Sequence, residues 1–212
     1  MSERFNVAES LVSQFSSKNF LFRFGFDFPI IHEAVRTAWL MASMITRNHP
    51  RTYRGITFWA EFVKDFRQKL DNWTAQSIKN FDLTVNPQED MAIVIMSGDK
   101  FTGLSGSAMP STKNPKGAMT LQLVENNQLS LFPEMRENPI IKEGCQYWIL
   151  LYYKAEDEIR LELSLPNNID GEGKINSWLE RIPLPSCKVG AGSTEPDITD
   201  KSSAIDFDIE IK

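Results

Sequence analysis

Residues 146–166 read QYWILLYYKAEDEIRLELSLP, and whether they form strands or helix decides which fold the chain can adopt. The first arm is apolar and aromatic, which suits a buried strand. In the second arm Ile159, Leu161, Leu163 and Leu165 alternate with Arg160, Glu162 and Ser164. Alternation with a period of two is a strand signal, because successive side chains point to opposite faces of a sheet. Residues 154–157, KAED, supply a turn. The stretch therefore predicts an antiparallel hairpin with one face buried and the other in water.

Neighbouring segments extend this sheet. After Asn86–Pro87 the run MAIVIM, residues 91–96, is short, apolar and β-branched, as a buried strand requires. Residues 118–132, AMTLQLVENNQLSLF, predict a further hairpin turning at Asn126–Asn127, since asparagine tolerates positive φ. A polar loop over 167–178 leads to another strand, WLERIPL. Cys187 falls in a loop on this reading. Residues 187–203 have the composition of a flexible tract. The end of the chain, AIDFDIEI, alternates strictly: Ile205, Phe207, Ile209 and Ile211 against Asp206, Asp208 and Glu210. That is the pattern of a strand docking on a sheet edge.

Upstream the period changes. Phe20, Phe22, Phe24, Phe26 and Phe28 repeat at every second position and predict a strand. Pro29 suits a first helical turn, and Val35, Ala38, Trp39, Ala42 and Ile45 then follow helical spacing up to Asn48–His49–Pro50. A second helix over 57–81 is expected, capped by Thr57, with Phe58, Phe62, Phe66, Leu70 and Trp73 as its inward stripe. A short helix over 7–15 precedes both. The fold class is α+β: an N-terminal helical pair packed on a mostly antiparallel β-sheet built from successive hairpins. One domain spans 1–212, with a mainly helical part (1–82), a sheet part (83–186), a flexible tract (187–203) and a docking β-strand (204–212).

Composition bounds the function. A hydrophobic share of 42% with 24% charged residues is that of a soluble globular chain. No apolar run approaches the roughly 20 residues of a membrane span, and the first residues lack a secretory pattern. A cytoplasmic, bacterial-type protein without membrane contact is the expectation. Cys145, Cys187, His32 and His49 stand at no zinc spacing, so neither a metal nor a cofactor is expected. The net charge of −5 conceals a split, since residues 1–80 carry +4 and residues 81–212 carry −9. Such a split fits an anion-binding N-terminal face or two parts that attract each other.

Two basic groups stand out. The stretch GDKFTGLS, residues 98–105, follows a strand and spaces its glycines like a P-loop, but Leu104 replaces the lysine and Pro110 and Pro115 exclude the following helix. What remains is a long loop of roughly twenty residues, in which Lys100, Lys113 and Lys116 bring charge. Ser105, Ser107, Ser111 and Thr112 bring hydroxyls, and glycine N–H groups could approach an anion. The second group, TRNHPRTYRG, places Arg47, His49, Arg51 and Arg54 around Tyr53, a combination that can grip a phosphate backbone and stack on a base.

Catalytic constellations are weak. For a metal nuclease the nearest acidic and lysine residues are Asp157, Glu162 and Lys174, and the E-x-K string lies in a glycine turn rather than on a strand. A Cys–His pair between Cys145 or Cys187 and His32 or His49 has no local support. No catalytic residue is assigned. The leading expectation is a non-enzymatic nucleic-acid-associated protein, for DNA or RNA, using Arg47, Arg51, Tyr53, Arg54, Lys100, Lys113 and Lys116. The alternatives are a protein–protein module working through the acidic sheet half and the C-terminal strand, and a metal-dependent nuclease.

Overall fold

The computed structural model describes residues 20, 23–78, 81–88, 90–114, 120, 121, 124, 127 and 145–190. Two helices come first, α1 (Phe28–Ser43) and α2 (Tyr53–Gln68). Six strands follow: β1 (Thr74–Ile78), β2 (Phe81–Asn86), β3 (Met91–Ser97), β4 (Gln146–Lys154), β5 (Glu158–Ile169) and β6 (Ile175–Lys188). They form one sheet in the order of the sequence. Neighbours are antiparallel except β3 and β4, which run parallel. The α+β class and the mostly antiparallel sheet are therefore as the sequence indicates.

α1 starts where Asp27 accepts a hydrogen bond from the Phe28 N–H at 2.8 Å, with Pro29 in the first turn where a missing N–H costs nothing. Its inward stripe is Ile31, Ala34, Val35, Ala38 and Ala42. α2 begins at Tyr53, four residues before the expected Thr57 cap, and buries Phe58, Phe62, Val63 and Phe66. It also stops early. Asn72 takes a left-handed φ of 64°, and the chain turns into β1 within the stretch expected to be helical.

Two further expectations are corrected. Phe20, Arg23 and Phe24 are helical rather than extended. A spacing of four belongs to both periods, and Phe20 and Phe24 pack with ring centroids 4.7 Å apart and planes tilted by 39°, as helical neighbours can. Nor do the described residues of 118–132 form the expected hairpin. Thr120, Leu121, Val124 and Asn127 are helical, with Thr120, Val124 and Asn127 buried. A parallel step requires a crossover of a dozen or more residues, and these residues lie within it.

Because β3, β4 and β5 are buried on both faces, two cores share them. Under the helices, Met91, Ile93, Ile95, Trp148, Leu150, Tyr152, Leu161 and Leu163 meet the phenylalanines. On the other face Ala92, Val94, Met96, Ile149 and Leu151 meet Val124 and Ile175. The face of β5 expected to be wet is dry: Glu162 and Ser164 are both 0% exposed. The long β5–β6 hairpin is broken by register shifts from Ile159 to Ile169 and curls over this second face. Thr112 ties down its tip. Its N–H donates to the Ile175 carbonyl (2.9 Å), its Oγ1 accepts from the Ile175 N–H (3.1 Å), and the adjacent Lys113 N–H donates to the Ser97 carbonyl (3.0 Å). Cys187 lies in β6 rather than in a loop, and is buried. Residues 204–212, the expected docking strand, lie outside the described residues, as does the expected helix over 7–15.

Candidate functional site

The loop after β3 is built as a cover for the sheet. Gly98 continues the β3–β4 ladder, its N–H donating to the Tyr152 carbonyl at 2.9 Å. Asp99 then organises the turn: its carboxylate accepts from the Phe101 N–H (3.0 Å) and its carbonyl from the Thr102 N–H (3.1 Å). Thr102 packs where a β-carbon on Gly98 would fall, 2.1 Å from its Oγ1, so only glycine fits there. Gly103 has a φ of +71° and lies so close to β5 that a β-carbon would stand 2.9 Å from the Leu161 carbonyl oxygen. Its N–H is directed at a carboxylate of the protein itself, Glu162 Oε2, at 2.9 Å.

Glu162 is the centre of a buried polar cluster. Arg181 donates to it through Nε (2.6 Å) and Nη2 (2.9 Å), and the Ser164 hydroxyl donates at 2.6 Å. With the Gly103 N–H, the two oxygens receive four donors, which meets the demand of a buried carboxylate. Arg181 is held in its charged form by Glu162 and also donates to the Leu104 carbonyl at 3.2 Å. The glycine N–H expected to face an external anion is thus occupied by an internal one.

Lys100 is exposed and lies 5.2 Å from the Phe101 ring centroid, while its carbonyl accepts from Arg160 Nη1 at 2.9 Å. Lys113 is also exposed, and its N–H bond to Ser97 fixes it at the C-terminal end of β3. Lys116 lies outside the described residues. Of the hydroxyls, Thr112 is spent on the Ile175 clasp and Ser111 on the Thr112 carbonyl, while Ser105 and Ser107 are exposed.

The arginine cluster occupies the connection between α1 and α2. Arg54 is partly internal, its Nη2 donating at 2.7 Å to the carbonyl of Ile45, the residue after the C-cap Met44 of α1. Arg47 and Arg51 are exposed. His49 and Tyr53 stack with centroids 5.3 Å apart and planes 3° from parallel. The start of α2 lies over the C-terminal ends of β3 and β4. Trp59 donates to the Ile95 carbonyl (3.1 Å), Phe58 packs on Tyr152 (5.1 Å), and Lys154 lies over Phe58 (4.1 Å). Both basic groups therefore emerge at one end of the sheet, the helical one on one face and the loop on the other.

The weak catalytic candidates are not brought together. Asp157 precedes β5 and pairs with Lys188 at 3.7 Å, whereas Lys174 follows β5 at the far tip of its hairpin and pairs with Glu172 at 3.0 Å. Glu162, between them, is enclosed by Arg181. Cys187 donates to the His32 backbone carbonyl at 3.8 Å, and burial pushes its thiol up, away from thiolate chemistry. The His32 ring is engaged separately, with Nε2 2.7 Å from the Pro185 carbonyl oxygen. Among the described residues no cluster of His, Cys, Asp and Glu could hold a metal ion, and no helix is long and apolar enough to cross a membrane. Comparison with protein-family models, curated proteins and solved structures gives no match.

Proposed function

We propose that the protein binds nucleic acid without acting on it, gripping phosphates with the basic groups at the C-terminal ends of β3 and β4. The observation that carries this reading is the emergence of two sequence-distant basic groups at one end of the sheet. Arg47 and Arg51 stand on the helical side, with Lys100 and Lys113 on the loop side. The stacked His49–Tyr53 pair offers a flat aromatic surface between arginines, the combination used to hold unpaired bases. Phosphate contacts release counterions, so binding should weaken steeply with salt.

The test is fluorescence anisotropy of labelled single- and double-stranded DNA and RNA at two salt concentrations, with magnesium and chelator arms to report cleavage. Binding that falls with salt, and falls by about tenfold or more in Arg51→Glu combined with Lys113→Glu, is the expected result. Both residues are exposed, and far-UV circular dichroism of the double variant checks that its fold is kept. Absence of binding at low salt overturns the reading.

A further inference from the structure

The two edges of the sheet are unlike. At the β6 edge, Pro183 and Pro185 lack N–H groups, the Pro185 carbonyl is taken by His32, and α1 packs alongside. Prolines and cover are the usual protections of an edge strand. At the other edge β1 reads TAQSI, with no proline and no charge, and as the first strand in the order it has no outer neighbour among the described residues. Its Ala75 and Ser77 share the helix-side face with their partners Thr84 and Asp82, and Asp82 lines a groove of about 370 Å³. Trp59, Ala60 and Val63 give that groove an apolar floor, with Lys64 and Arg67 among its lining residues. The opposite face of β1 carries Thr74 and Gln76, both exposed. The edge thus asks for a strand with one apolar face and one wet face.

We propose that residues 204–212 of the same chain add to β1 as a seventh strand, laying Ile205, Phe207, Ile209 and Ile211 along the groove. Asp206, Asp208 and Glu210 then stand in water beside Thr74 and Gln76. Reach allows it. The 13 residues between Gly190 and Ala204 span roughly 43 Å when extended, against roughly 29 Å for the six inter-strand steps from β6 to a strand outside β1. β6 ends at the same end of the sheet as β1, because β5 pairs Ile159 with Cys187 and β4 pairs Lys154 with Ile159. A tail crossing along that end meets β1 at its C-terminus and runs antiparallel to it. Tethering favours the intramolecular site over the same edge of another molecule at ordinary protein concentrations. This inference does not rest on nucleic-acid binding, although the tail crosses the end of the sheet at which the basic groups emerge.

Residue-resolved hydrogen exchange on the full chain tests it. A strand paired on one side leaves alternate N–H groups free, so protection at every amide of β1 is the expected result. Phe207→Asp combined with Ile209→Asp should then raise exchange at the freed β1 amides by about tenfold or more, with β4 and β5 unchanged. A synthetic peptide of residues 204–212 should restore protection to that variant. If the variant does not fold, the unmodified chain decides alone: alternate β1 amides exchanging at unprotected rates overturn the proposal. Protection that grows with protein concentration, with a dimer mass by light scattering, places the strand on a neighbouring molecule and overturns the intramolecular form.

Discussion

Glu162 shows how burial changes the meaning of a residue. It sits in an alternating strand at a position expected to face water, yet it is fully enclosed, with Arg181, Ser164 and the Gly103 N–H as its partners. Alternation alone reports that two faces differ; it does not report that a loop from sixty residues earlier covers the polar one. Removing one partner of a buried pair strands the other, so Glu162→Ala should destabilise the fold by about 3–5 kcal/mol. Replacing both, as Glu162→Leu with Arg181→Met, should cost less than either single change, because neither charge is left uncompensated. Urea denaturation of the two single variants and the double variant measures this. Singles that add up to the double would show that the ion pair contributes no coupling.

At the scale of elements, the informative failure is the stretch around Asn127. Its leucines and valine fit either period, and an Asn–Asn pair invites a turn. The decisive fact is tertiary. Asn127 Nδ2 donates to the Tyr147 carbonyl and its Oδ1 accepts from the Tyr147 N–H, both at 2.9 Å. Ladder pairing of β4 with β5 begins at Ile149 and Ser164, so Tyr147 would next face Pro166, which has no N–H to offer. The Asn127 side chain takes the place of the missing strand backbone. Nothing local in the sequence carries this. By contrast, the α1 and α2 stripes and the second arm of the β4–β5 hairpin were legible because each repeats one period, and MAIVIM and the first arm because each is a short, continuous apolar run. Asn127→Ala leaves a buried donor and a buried acceptor unpaired, at about 1–3 kcal/mol each. The expected result is a loss of about 2–6 kcal/mol together with faster exchange at the Tyr147 amide. A variant as stable as the parent would mean that water replaces the amide.

Charge and topology meet at the scale of the molecule. The basic N-terminal and acidic C-terminal parts distinguished by composition do pair across the fold, through Arg23 with Glu180 and Arg67 with Asp82. The parallel step between β3 and β4 was not legible, since a side-chain period says which face is buried and not which strand lies beside it. That step has a mechanical consequence. Adjacent residues of β4 serve different cores, Leu150 the one under the helices and Leu151 the one under the curled hairpin, and both are 0% exposed. A chain of 212 residues is large enough to unfold in stages. Here, however, loss of either core releases the same strand from its ladder and exposes the back of the other. Leu150→Ala and Leu151→Ala should therefore each shift one common transition, by about 2–5 kcal/mol. Far-UV circular dichroism and tryptophan fluorescence should give the same midpoint in each variant. Divergent midpoints in Leu151→Ala alone would show that the curled hairpin and its core unfold separately, and that the helices and the sheet beneath them hold together without it.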